Sequence, residues 1–411
     1  MIIAAPANIG DRYMAVEAAA GPMKGKLVVR NIGLLLSGDL DQPILDADTI
    51  VAVDGRITAI GKGKDIDADK ADLVIDAKGC AVAPGLIDSH CHPVFGDWTP
   101  RQNQLGWIDS CVNGGVTTFV SAGEVHLPGR PKDPIGVKAL AITAQRTFAN
   151  FRPSGAKVMA GAPVPEKTMG EEDYAELARA GVTMIGEIGL GTVNTGPEAK
   201  KHVAWCRKHG IQTIIHTGGP SIPGSNLISH EVVLEADPDV ISHINGGHTA
   251  LSSGHICQLC EQAKGAIEIV HNGNEKAAIT ALKAAVELKR THEVIIGTDA
   301  PAGSGVQPLG ILRTIAFLAS FGGVAPETVF CMATGNTARV RKLDAGLIAP
   351  DKPADFVFLD KAQHTAGKTM LDSMALGDLP GIGMVMIDGI VSCGRSRNTP
   401  PADRIPEIVG H

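Results

Sequence analysis

A chain of 411 residues is longer than one compact core usually fills, and it points to one large domain with a smaller companion. It is 44% hydrophobic but only 3% aromatic and carries a formal charge of −7, which suits a soluble globular protein and argues against nucleic acid or an anionic membrane as partner. Its eight cysteines form no disulfide framework, so the expected compartment is the reducing cytoplasm.

The first residues, "MIIAAPANIGDRYMAVEAAAGPMKG", have no basic segment ahead of an apolar one and make a poor secretory signal. Residues 1–26 are expected to be a loosely ordered extension. No apolar run approaches the roughly 18 residues a membrane helix needs. "KLVVRNIGLLLSG", "DTIVAVDGRITAIG" and "DLVIDAKGCAVAPGLID" are short β-rich runs broken by turn signals such as Asp54-Gly55, and they read as antiparallel strands. The same texture returns in "AGLIAPDKPADFVFLD" and "IGMVMIDGIVSCGRS". Residues 27–84 and 345–411 are therefore expected to form one small β-sandwich around a middle domain, 85–344.

The middle alternates. Strand candidates at "VAPGLIDSH", "VTTFVSA", "KVMAGAPV", "VTMIGE", "QTIIH", "DVISH", "AIEIV" and "VIIGTD" are separated by helical stretches such as "EEDYAELARA" and "NEKAAITALKAAVELKR". Eight such units in about 250 residues predict a (β/α)8 TIM-like barrel of the α/β class. The rival, a doubly wound open sheet, lacks a G-x-G-x-x-G opening a helix after an early strand. "CQLC" (Cys257, Cys260) has no second such pair and sits in a helical pattern, so two half-buried helix thiols are expected rather than a zinc ribbon.

Catalytic groups of such barrels sit at the C-terminal ends of the strands. The candidate strands end in His90 and His92, Glu187, His216, His243 and Asp299. Imidazoles and carboxylates gathered at one rim point to a metal centre, because these are the usual zinc and iron ligands. Residues two apart on a strand face the same way, so His90 and His92 can reach one ion while Cys91 points away. Asp88 lies on the same face, either as a hydrogen-bond partner behind a ligand or simply buried against a turn.

This order of H-x-H, a fourth-strand acid, two further histidines and an eighth-strand Asp resembles the amidohydrolase superfamily. So do the flanking β segments, with "APGLIDSHCH" leading in and "AGLIAPDKPADFVFLD" leading out. "GGVTTFVSAGEVHLPGRPKD", "GEIGLGT", "HTGGPSIPGS", "CMATGNTARV" and "SRNTPPA" look like its enamidase branch, which opens a cyclic enamide in bacterial nicotinate breakdown. The resemblance implies two divalent metal ions per chain, zinc with iron possible. His90, His92 and Asp299 would hold one, His216 and His243 the other, and Glu187 both. Lys157 begins its strand at the opposite face, so a carboxylated lysine is not expected in the place of Glu187. The implied reaction is attack on the amide by a metal-bridging hydroxide, with Asp299 as ligand and also as proton carrier to the leaving nitrogen. A deaminase or a lactonase or esterase on the same site is the alternative, and a non-catalytic scaffold is disfavoured by the full ligand set. The resemblance further implies a homotetramer.

Arg101 and Arg130 are candidates to grip a substrate carboxylate, with surface solvation as the plain alternative. His248 and His271 follow the sixth and seventh strands and are candidates for substrate binding or ordinary loop residues. His126 stands evenly between pocket and surface, and the loop 217–225 after His216 is expected to shape the pocket.

Overall fold

A computed structural model describes residues 21–66, 70–93, 100–123, 130–220, 225–247, 249–301 and 305–409, apart from the side chains of 100–105. Seven barrel strands form at Leu86–Cys91, Val116–Ser121, Lys157–Met159, Ile214–Ile215, Val240–Ile241, Ala266–Val270 and Val294–Gly297. Each pairs in parallel with its neighbour. Their Val- and Ile-rich runs are buried on both faces, as expected of strands that are covered by helices outside and filled with side chains inside.

The fourth position differs from a regular strand. Residues 183–188 make only isolated bridges, Met184 to Gln212 and Ile188 to Ile215. Their amides divide between the two sides without alternating: Ile185 N donates to Gln212 O and Ile188 N to Ile214 O, whereas the consecutive Gly186 N and Glu187 N donate to Pro163 O and Ala122 O, all at 2.8–3.0 Å. Glycine is required at that crossing, because a Cβ on Gly186 would sit 2.9 Å from both Ala162 O and Gly123 Cα. The segment still occupies its place in the ring. Closure comes from the eighth strand, where Asp299 N donates to His90 O (2.8 Å) and His92 N donates to Ala300 O (2.8 Å).

Helices pack around this ring. Pro134–Asn150 is N-capped by Asp133 and turns Val137, Ala141, Ala144 and Phe148 inward. Glu275–Glu287 is capped by Asn274 and buries a row of alanines with Leu282. These faces and the outer strand residues form one continuous core. "CQLC" lies in the helix Ser253–Gln262 as expected, but its thiols are not both half-buried: Cys257 is exposed and Cys260 buried, because they lie three residues apart on an amphipathic helix with only Cys260 on its inner face.

The terminal segments build two further sheets. One runs Glu407–Ile408, Leu73–Asp76, Lys26–Arg30, Thr49–Val53, Arg56–Gly61; the other runs Ile390–Cys393, Gly381–Ile387, Phe356–Asp360, Ala81–Pro84, Leu34–Leu36, Ile44–Leu45. A single apolar cluster joins them, with Leu27, Val29, Ile50 and Ile75 from the first and Leu35, Val82, Phe356, Phe358 and Met386 from the second. The expected purely antiparallel pairing does not hold. Lys26–Arg30 lies parallel to Leu73–Asp76, and Leu34–Leu36 parallel to Ala81–Pro84, because the chain crosses between the sheets instead of turning back at each break. Hairpins form where Asp-Gly pairs supply two positive φ angles, at Asp54-Gly55 and again at Asp388-Gly389. Lys157, at the bottom of the barrel, bonds Asp355 (2.7 Å) and Asp388 (2.8 Å) of the C-terminal sheet, consistent with a stability role at that face.

Candidate metal centre

All six strand-end residues converge at the C-terminal mouth of the barrel. His90, His92, Glu187, His216, His243 and Asp299 are each at most 7% exposed. Alternation works as expected in the first strand: His90 and His92 face inward, whereas the Cys91 thiol donates to Val120 O at 3.3 Å. Two members leave their strands with unusual backbones, His243 at φ 33° and Asp299 at φ 58°. Such left-handed residues cost of order 1–3 kcal/mol and gather at functional sites. Asp299 is pinned by its own amide on His90 O and by Asn272, whose Nδ2 donates to the Asp299 carbonyl at 2.8 Å.

Glu187 stands between two groups. Its Oε2 lies 3.7 Å from His90 Nε2 and 3.8 Å from His92 Nε2, and those two nitrogens lie 3.5 and 3.1 Å from Asp299 Oδ1. Its Oε1 lies 2.6 Å from His243 Nε2 and 3.7 Å from His216 Nδ1, which are themselves 3.2 Å apart. One carboxylate thus offers one oxygen to each pair of imidazoles. The ligand atoms of His90, His92 and Asp299, and those of His90, Glu187 and His243, lie within 4.8 Å of one another.

The ring orientations suit cation binding. His92 Nδ1 donates to Gly123 O (3.1 Å) and His216 Nε2 donates to Gly219 O (2.9 Å), which leaves the other nitrogen of each ring as a lone pair facing the cluster. His90 Nε2 is buried with no hydrogen-bond partner. The local field favours added positive charge. Burial alone would depress the His90 imidazole, but the carboxylates of Glu268 and Glu187 lift it well above its ordinary value. His243 is raised in the same way by Glu187. Burial would raise the Glu187 and Asp299 carboxyls, yet the surrounding imidazoles hold both well below the usual carboxylate range. An orphaned imidazole nitrogen, acids kept ionised and a donor set of nitrogen and oxygen fit divalent zinc or iron.

A layer beneath the rim escaped the sequence reading. Glu268, in the middle of "AIEIV", is fully buried and lies 2.8 Å from His90 Nδ1. Arg341 pairs with it at 2.8 Å, and Ser89 and Ser242 donate to it. The signal was present: a lone charge in an apolar strand, flanked by two isoleucines. Asp88 takes the partner role by another route, accepting from the backbone amides of His90 (3.1 Å) and Thr298 (2.9 Å) and from the Thr298 hydroxyl (2.5 Å). It locks the first strand to the eighth and touches no imidazole ring.

The weaker candidates fall elsewhere. His271 is on the opposite face of its strand from Glu268 and lines an outer cavity of about 260 Å³ with Ile269, Arg313 and Phe317. The cluster and His271 are not brought together. Arg130 pairs with the buried Glu166 at 2.9 Å and is 14% exposed, so its charge already has a partner. Arg101 lies in the helix Pro100–Val112, but its side chain, like His126 and His248, is outside the described residues. Of the loop 217–225, Gly219 supplies the carbonyl that orients His216.

Residues 81–391 match the Amidohydrolase family. The chain is 46% identical over 385 residues to the enamidase of Eubacterium barkeri, an alignment that covers 93% of this chain and 100% of that protein. The crystal structure of enamidase superposes with a TM-score of 0.89 over 93% of this chain and 100% of its own, at 46% identity. An adenine deaminase of Deinococcus deserti is 27% identical over 87% of this chain and 60% of its own length. The β-aspartyl dipeptidase of Fervidobacterium islandicum shares the fold, with a TM-score of 0.61 at 18% identity over 93% of this chain and 99% of its own.

Proposed function

Since the chain belongs to the amidohydrolase family, we propose that it is a metal-dependent hydrolase that opens the C–N bond of a small cyclic amide. The observation that carries this reading is Glu187, one oxygen toward His90 and His92 and the other toward His216 and His243. In this reading His90, His92 and Asp299 hold one divalent ion, His216 and His243 a second, and Glu187 both. Two such ions, zinc or iron, would bring the pKa of a bound water near neutrality and polarise the amide carbonyl.

The protein's own groups do the rest. Asp299 accepts the proton of the attacking water and delivers it to the ring nitrogen, which must be protonated to leave. The Asn272 contact to the Asp299 carbonyl and the bond from the Asp299 amide to His90 O keep that residue in place. The 46% identity to enamidase, spanning the whole of that protein, supports a cyclic enamide or lactam as the bond class.

We read residues 85–344 as the catalytic barrel and 27–84 with 345–411 as one β-sandwich, a division that the apolar cluster shared by the two terminal sheets supports; of the expected extension 1–26, residues 1–20 lie outside the described residues, whereas Met23 bonds Asp388 O and Lys26 opens the first strand. Eight cysteines with no disulfide among the described residues support a cytoplasmic setting. A homotetramer is carried over from the family resemblance.

The test couples elemental analysis with a ring-opening assay followed in the ultraviolet. Its panel contains 6-oxo-tetrahydronicotinate, simple lactams, a lactone and an aminopurine. About two ions per chain and turnover of a cyclic amide are expected. Turnover of only the lactone or the aminopurine would move the enzyme to esterase or deaminase chemistry.

A further inference from the structure

We propose that Glu268, charge-balanced by Arg341, is a positioning residue that fixes His90 as a ligand and so sets the affinity of one of the two ions. This rests on the reading of the cluster as a binuclear metal centre. Glu268 is contributed by Ala266–Val270, beneath the rim and out of reach of solvent. Its Oε1 accepts from Ser89 Oγ (2.6 Å) and Arg341 Nη2 (2.8 Å), and its Oε2 from His90 Nδ1 (2.8 Å) and Ser242 Oγ (2.7 Å). An ionised carboxylate is an acceptor only, with about four lone-pair positions, and here four donors fill them.

That saturation has a consequence for His90. A carboxylate can only accept and Ser242 spends its one proton on it, so Nδ1, 2.8 Å from Glu268 Oε2 and 2.7 Å from Ser242 Oγ, carries the ring proton and Nε2 is left as a lone pair. Nε2 is the atom that faces Glu187 and Asp299 and lacks a hydrogen-bond partner. His92 and His216 are oriented by backbone carbonyls, whereas His90 is oriented by a charge. A carboxylate behind an imidazole fixes its tautomer and strengthens it as a ligand. Arg341 reaches up from the helix Gly335–Arg341 and also donates to Ser89 O (2.7 Å), which supplies the counter-charge a buried carboxylate requires. Ser89 and Ser242 directly precede His90 and His243, so the same carboxylate clamps the first and sixth strands where their ligands begin.

Glu268→Gln replaces one acceptor oxygen by an NH2. If that NH2 faces His90, it donates to Nδ1 and drives the ring proton onto Nε2. If it faces Arg341, two donors oppose each other. The experiment is metal content of the full-length protein after dialysis against graded chelator. Wild type should hold two ions, and Glu268→Gln should lose one of them at 10- to 100-fold lower chelator while the other is unchanged. A second variant, Glu268→Met with Arg341→Met, removes both charges, and its thermal midpoint is compared with wild type in the metal-free state. A merely structural role predicts that the double variant recovers both its midpoint and its second ion; that result would overturn the proposal. The positioning role predicts recovery of the midpoint without recovery of the ion. Two equally retained ions in wild type and in Glu268→Gln would also refute it, while a wild type that never holds two ions would refute the metal-centre reading itself.

Discussion

His202 offers a sharp test of how the barrel's outer helices are packed. It lies on Gly196–Lys208, 3% exposed, with its Nδ1 joined to the Tyr174 hydroxyl at 2.6 Å and its ring 5.1 Å from that of Trp205. Burial, and then the neighbouring Lys201 charge, lower its pKa from 6.5 to about 4, with Glu198 opposing weakly. The folded state therefore binds fewer protons than the unfolded state between those values, and stability is lost as pH falls through 6.5, with the loss complete below 4. At pH 5 this one group should cost about 2 kcal/mol relative to pH 7.5. The perturbation is Tyr174→Phe with His202→Leu, which removes the titrating ring and leaves no orphaned hydroxyl. Denaturant unfolding of both proteins at the two pH values supplies the number, and groups common to the two cancel in the difference. The double variant should lose about 2 kcal/mol less than wild type on acidification. Identical acid losses would mean that His202 charges freely in the folded protein, and the burial argument would be wrong.

Two further outcomes follow from the site itself. Asp299→Asn keeps an oxygen for the metal but loses the base, so kcat should fall by roughly 10² to 10⁴ with metal content unchanged; near-normal turnover with metal bound would remove the proton-carrier role. Gly297→Ala places a Cβ 2.6 Å from His90 Cβ and 2.8 Å from His90 N, where strand backbone cannot yield. Stability should drop by about 1–3 kcal/mol, read by the same denaturant unfolding, and an unaltered midpoint would show that the first and eighth strands are not in such close contact.

The rim was legible in the sequence because its signal repeats: a polar, metal-capable residue ends one apolar run after another, and six such residues are improbable as separate structural accidents. What lay one layer deeper was not. Glu268 acts through side chains from three other elements, and nothing local in "AIEIV" says that Ser89, Ser242 and Arg341 will meet it. Once Glu268 is known to face inward, alternation puts Ile269 and His271 outside, which explains why His271 lines the outer cavity despite sitting at a strand end. The fourth strand read as regular because "VTMIGE" is apolar and β-branched, while its hydrogen bonds to both sides are set by neighbours far along the chain. Parallel pairing in the terminal sheets was hidden for the same reason. The Asp-Gly turns were visible because the turn residues carry their own φ angles, but crossovers leave no such mark.

The interleaving of the terminal sheets bears on synthesis. Ala81–Pro84 pairs with Phe356–Asp360, and Leu73–Asp76 pairs with Glu407–Ile408. About 270 residues separate Pro84 from Phe356, so at ~5–20 residues per second the early strands wait roughly 15 to 55 s for their partners to leave the ribosome. During that interval the edge of Ala81–Pro84 that Phe356–Asp360 will cover is unpaired and apolar. A nascent chain in that state is a natural client for holding chaperones, and slowing translation ahead of Phe356 should lower soluble yield without any change in the finished protein.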